Sequence, residues 1–174
     1  MTNGLNRRVD DLFAETYEEL RRVASAVKRH NQNATLNPTA LVHEAWLKIS
    51  ACAGAESLSL LHFKRIAAQA MRQVLIDAAR RRKARKREAA DTVIATLGPA
   101  STPATFADEE LIALDQALTK LAEMSPRQAT MVEGRFFGGL ETAEIAELLG
   151  VSEATVMRDW RTARAWLGKE FRKT

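Results

Sequence analysis

The apolar residues of this chain recur almost everywhere at three- and four-residue steps. Val9, Leu12, Phe13, Tyr17, Leu20, Val23, Ala24 and Val27 form one such stripe, the pattern of a helix with a single buried face. Leu41, Val42, Ala45, Trp46 and Ile49 form a second, opened by Asn37 as cap with Pro38 behind it. Proline suits the first helical position because its missing N–H has no partner there and its φ is already helical. Phe63, Ile66, Ala67, Ala70, Val74 and Ile76 form a third, starting near Leu60 after the small and polar loop 51-ACAGAESLS-59. No alternating run of β-branched residues is bounded by turn residues. These periods confine the chain to an all-α fold.

Between residues 88 and 107 the periodicity dissolves, and 96-TLGPASTPAT-105 reads as a flexible linker. Helix returns from about Asp108 with the stripe Leu111, Leu114, Leu118 and Leu121. Ser125-Pro126 repeats the cap-and-proline signal before 126-PRQATMVEGRFF-137, and Gly138-Gly139 ends that helix. The expected organisation is two small helical domains, 1–88 and 108–174, joined by the linker 89–107. At 174 residues the chain is long enough for a core in each.

Several function classes are disfavoured by what is missing. No apolar run follows a basic start, and none approaches membrane-spanning length. The single cysteine, Cys52, allows no internal disulfide and no multi-cysteine zinc site, which fits a reducing cytosol. His30, His43 and His62 share no metal-ligand spacing. His43-Glu44 opens an H-E-x-x-H zinc pattern, but Leu47 stands where the second histidine would be needed. No Ser/His/Asp or Cys/His set can be nominated, so the expectation is a protein without catalysis, metal or cofactor.

The C-terminal stretch 140-LETAEIAELLGVSEATVMRDWRTARAWLGKEF-171 carries a more specific signal. Thr142 is a candidate cap for a short helix with Ile145, Ala146 and Leu149, and Gly150 supplies its left-handed end. Ser152 caps a second helix whose buried face would be Val156, Trp160, Ala163 and Leu167. Helix, short glycine turn, helix is the helix-turn-helix arrangement, with a small Ala146 where the two helices cross. Such a hairpin can also serve packing alone. Against that, the outer face of the second helix carries Arg158, Arg161 and Arg164 beside the hydroxyls of Ser152 and Thr155. Guanidinium forks suit base edges and phosphates, and a helix N-terminus suits a phosphate. Glu153 and Asp159 oppose phosphate; either could instead accept from a cytosine amino group or pair with a neighbouring arginine.

The third helix runs into 80-RRRKARKR-87, seven cations in eight positions. A solvated helix end needs fewer, so a polyanion is the better reading. The net charge of +4 and sequence pI near 9.5 agree. Upstream, Gln69, Arg72 and Gln73 lie within about a turn of one another and suit bases or phosphates.

In this order the features resemble the extracytoplasmic-function (ECF) sigma factors of bacterial RNA polymerase, over nearly the whole chain. The stretch 41-LVHEAWLKI-49 is similar to the family helix that docks on the polymerase β′ clamp helices. The stretch 63-FKRIAAQAMRQVLIDAARRR-82 resembles its −10 element helix, and 125–167 resembles its −35 reading domain. The resemblance implies polymerase contacts by Leu41, Glu44, Ala45, Trp46 and Lys48, with buried-core readings competing for Leu41, Ala45 and Trp46. It implies −10 contacts from the 51–60 loop and from Gln69, Arg72, Gln73, Arg80 and Arg81. It implies −35 contacts from Ser152, Thr155, Met157, Arg158, Arg161 and Thr162, with Arg164 near phosphate. The implied partners are core RNA polymerase, through the β′ clamp helices and the β flap, and promoter DNA. The chain is expected to be a monomer when free, with no membrane partner. A helix-turn-helix regulator acting without polymerase is the alternative, although no dimerisation helix is evident.

One departure stands out. Where typical members read Asp-Ala-Glu-Asp before Leu-Val, this chain reads Asn37-Pro38-Thr39-Ala40. Three carboxylates that would face basic clamp residues are absent, each pair being worth about 1 kcal/mol or less alone. Thr39 occupies the place of the missing glutamate. A phosphate on Thr39 would return about −1.5 to −2 charges at a helix N-terminus. The expectation is that a Ser/Thr kinase licenses polymerase binding at Thr39, with Thr35 as runner-up; an anti-sigma factor is a further partner this reading admits. Packing of the two domains against each other would be a second route to inhibition.

Overall fold

The computed structural model describes residues 8–30, 37–52, 58–94 and 106–171. Among the described residues seven helices follow one another: α1 (Val9–His30), α2 (Pro38–Cys52), α3 (Leu60–Ile94), α4 (Phe106–Met124), α5 (Pro126–Gly138), α6 (Thr142–Leu149) and α7 (Glu153–Phe171). No strand occurs among the described residues, so the fold is all-α as the periodicity requires. Residue Thr35, positions 53–57 of the expected loop and positions 95–105 of the expected linker lie outside the described residues. The helix α3 continues past residue 88 to Ile94, although its apolar stripe has faded by then; basic side chains and alanines are good helix formers without a buried face.

The helix α3 is the central element. It packs against α1 and α2 and also against α4, α5 and α6, with its largest contact to α5. Phe63, Ala67, Ala68, Met71, Val74, Leu75 and Ala79 are all buried. So many alanines around one helix let neighbours approach on several sides. One such close approach is at the last turn of α5: a Cβ placed on Gly138 would lie 3.0 Å from the Cβ of Ala68. One apolar cluster runs through all seven helices, from Leu12 through Leu118 and Met131 to Ile145, Val156 and Ala163. Each large side chain removed from water there contributes roughly 1.5–3 kcal/mol.

Local signals explain most helix ends. The Asn37 side chain accepts the Ala40 N–H at 2.7 Å, capping α2. Gly139 (φ 67°) and Gly150 (φ 64°) are left-handed C-caps of α5 and α6. Two expected caps differ in detail. The N-cap of α6 is Glu141 in extended backbone, its N–H donating to the Glu144 carboxylate at 2.9 Å, so Thr142 is the first helical residue and not the cap. Ser125 occupies the N-cap of α5 without a capping hydrogen bond, and the proline after it starts that helix.

Candidate nucleic-acid and docking surfaces

The short helix α6, the Gly150 turn and α7 form the helix-turn-helix. The Val151 N–H donates to the Ala146 carbonyl at 3.0 Å across the turn. The Ser152 hydroxyl accepts the Thr155 N–H at 3.2 Å, so this hydroxyl is engaged in capping α7. Val156 and Ala163 are buried, Trp160 and Leu167 half-buried, and α7 thereby turns Met157, Arg158, Arg161, Thr162 and Arg164 to solvent. Thr155 is half-buried, and the Thr162 hydroxyl bonds back to the Arg158 carbonyl at 3.2 Å. Asp159 takes the second of its two readings: it is buried and accepts Arg127 of α5 at 2.6 Å. The Arg135 guanidinium sits 4.8 Å from the Trp160 ring centre, a cation–π contact that pins α7 against the end of α5.

The basic side of α3 is differently disposed. Gln69, Gln73 and Arg81 are exposed, but Arg72 is not free. Its Nε and Nη2 donate to Asp115 Oδ1 of α4 at 3.0 and 2.7 Å, and its Nη1 donates to Glu133 Oε1 of α5 at 3.2 Å. Arg80 reaches the other oxygen of Asp115 at 3.0 Å. Arg82 forks onto Asp108, a carboxylate only 2% exposed, with a shortest distance of 2.6 Å. Lys83 lies 3.6 Å from Glu109. Between α3 and α5 an open cleft is lined by Gln69, Arg72, Gln73, Thr130 and Glu133.

Farther up α3, the buried Lys64 ties three elements together. Its Nζ donates to Glu19 of α1 at 3.0 Å and to Glu144 of α6 at 2.6 Å. Burial pushes the Lys64 ammonium down, but the two carboxylates outweigh it and hold its pKa above the ordinary lysine value. Burial pushes the Glu144 carboxyl up, and the hydrogen bonds from Lys64 and the Glu141 N–H outweigh that, leaving it below the ordinary carboxylate value.

On α2, Leu41 and Ala45 belong to the core, each 3% exposed. Trp46 is half-buried and stacks on Phe13 of α1 with ring centres 4.4 Å apart. Glu44 is half-buried, and the exposed Lys48 pairs with Asp77 of α3 at 3.1 Å. The outer ridge consists instead of Thr39, His43 and Leu47, all exposed at i, i+4 and i+8. Leu47 is 65% exposed, a position that the apolar pattern of α2 alone does not reveal. The first turn of α2 contains no acidic residue. Asp115, Glu133 and Asp108 were missed in sequence; their one signal there is a carboxylate beside the apolar residues of α4 and α5.

No described helix is long and apolar enough to cross a membrane. A family model described as ECF sigma factor matches residues 1–173. No curated protein and no solved structure matches the chain.

Proposed function

The chain belongs to the ECF sigma factors, alternative sigma factors that bind core RNA polymerase and promoter DNA, and from that premise we propose how this chain divides the work and how it is licensed. Residues 1–88 form the polymerase- and −10-binding part, and 108–174 the −35-reading part with a further contact to the β flap. The −10 strand is engaged by Gln69, Arg72, Gln73, Arg80 and Arg81. The −35 duplex is engaged by α7 through Met157, Arg158, Arg161 and Thr162 at base edges, with Ser152, Thr155 and Arg164 toward phosphates. Five exposed side chains on one face of a well-capped helix support that assignment. The β′ clamp is met by the outer ridge of α2 with Glu44 and Lys48, while Leu41, Ala45 and Trp46 set the position of that ridge from beneath.

Core binding is controlled by phosphorylation of Thr39 by a Ser/Thr kinase. The observation that carries this reading is that exposed Thr39 heads the ridge it shares with His43 and Leu47, in a first turn without a carboxylate. Unmodified, that turn offers a basic clamp surface nothing to pair with. A phosphate there supplies about −1.5 to −2 charges at the end of the helix that favours anions. In cells under inducing conditions, Thr39→Ala should lose transcription of the dependent genes and Thr39→Glu should retain part of it. Full transcription from Thr39→Ala overturns the licence.

A further inference from the structure

We propose that the free chain ties up the central cation of its −10 surface, Arg72, and pairs the neighbouring Arg80, while leaving Gln69, Gln73 and Arg81 and the −35 surface open, with carboxylates of α4 and α5 standing in for DNA phosphates. This rests on the reading of α3 as the −10 helix. Along α3, cations at positions 64, 72, 80, 82 and 83 each meet a carboxylate from the C-terminal half: Glu144, Asp115 with Glu133, Asp115 again, Asp108 and Glu109. The centre of this row is Arg72. Besides its bonds to the Asp115 and Glu133 carboxylates, it donates to the Asp115 carbonyl at 3.0 Å and the Thr119 hydroxyl at 3.3 Å. A guanidinium so enclosed, its side chain 17% exposed, cannot take a phosphate until α4 and α5 move away.

Two features let this contact act as a latch although apolar side chains are buried beside it. Ion pairs taken out of water give back much of their attraction as desolvation, so a row of them holds two halves together without a large net stabilisation. The α3–α5 contact also includes the Gly138–Ala68 approach, where two small residues meet. The asymmetry with α7 is the second half of the inference: Met157, Arg158, Arg161 and Arg164 face solvent in the same conformation. Closed, the chain can test duplex DNA but holds an opened strand without Arg72 and so more weakly. Because linkage is reciprocal, whatever stabilises the open form also strengthens −10 binding.

The test compares the full chain with Asp115→Asn/Glu133→Gln, and with Glu110→Gln/Glu123→Gln as a control. The control removes the same charge from two exposed carboxylates of α4. Compactness is read by X-ray scattering, and affinity with a labelled single-stranded oligonucleotide of mixed sequence. The latch variant should expand and bind the single strand about tenfold tighter or more, since apparent affinity scales with the open fraction; the control should do neither. An equal gain in the control, or a gain without expansion, overturns the proposal. A variant that stays closed and gains nothing refutes the latch itself, whereas one that opens without gaining refutes its premise, that α3 binds the strand.

A crosslink keeps the test decisive if the latch variant fails to fold. Ala68→Cys/Gly138→Cys, in a Cys52→Ser chain, brings two Cβ atoms to within about the span of a disulfide. Oxidation should weaken single-strand binding about tenfold or more and reduction should restore it. Equal affinity in the two states overturns the proposal.

Discussion

Arg72 of α3 and Asp115 of α4 are 43 positions apart in the chain, yet Nη2 and Oδ1 lie 2.7 Å from one another, each side chain only 17% exposed. A residue proposed to meet promoter DNA is therefore engaged by the protein's own carboxylate. The pair joins the two halves of the chain at the point where both would have to act separately on DNA.

Arg72→Ala should destabilise the free chain. Removing one partner of a buried pair costs roughly 3–5 kcal/mol. Partial exposure and the second cation, Arg80, reduce the expected loss to about 1–3 kcal/mol. Urea unfolding should show a lower midpoint, and an unchanged one would mean the pair contributes nothing.

The Lys64 junction should weaken in acid. Glu144 lies below its ordinary value in the folded chain, so its contribution is present above the unfolded value and is lost as pH falls through the folded one. Lys64 is raised, so its contribution is present below its unfolded value and is lost only as pH rises through its folded one. The junction is thus intact around neutrality and fails on the acid side. Thermal melts of Glu144→Gln should show a flatter acid limb than wild type; parallel limbs would contradict the assignment.

The two left-handed glycines should not be equally replaceable. Gly150→Ala meets nothing within 4 Å and should lose only the backbone preference, about 1 kcal/mol. Gly139→Ala adds a contact at 2.6 Å with Val23 of α1 and should lose distinctly more, about 2 kcal/mol or above. Denaturant unfolding of both variants side by side reads the difference; equal losses would contradict the close α1–α5 approach.

Within the helix-turn-helix, two neighbouring polar residues should separate by role. Arg161→Ala should weaken duplex binding by about 1–3 kcal/mol, measured by anisotropy at fixed salt. Asp159→Asn faces Arg127 instead of solvent and should leave duplex affinity near wild type while lowering stability by about 1 kcal/mol. The reverse pattern would move the recognition surface to another face of α7.

What the sequence displayed and what it withheld follow one rule: local patterns are visible, and side-chain pairing across long separations is not. Asn37, Gly139 and Gly150 announce helix ends because capping acts over a few residues. Val156 and Ala163 announce a buried face because α7 has a period. Asp159 had two readings until Arg127, on another helix, supplied its partner. Arg72 reads as a free cation for the same reason, since nothing local to it reveals Asp115 or Glu133. On α2 the stripe placed Leu41 and Ala45 correctly on the buried side, while the exposed ridge of Thr39, His43 and Leu47 emerges only once the helix is oriented against α1 and α3.

The most direct test of the central claim is a core-polymerase titration of the chain phosphorylated at Thr39, beside the unmodified chain and Thr39→Glu at moderate salt. The phosphorylated chain should bind core about tenfold tighter or more than the unmodified one, with Thr39→Glu between them because glutamate restores a single charge. Equal tight binding by all three would keep the sigma factor and remove the licence. Absence of core binding even by the phosphorylated chain would contradict the docking role proposed for α2.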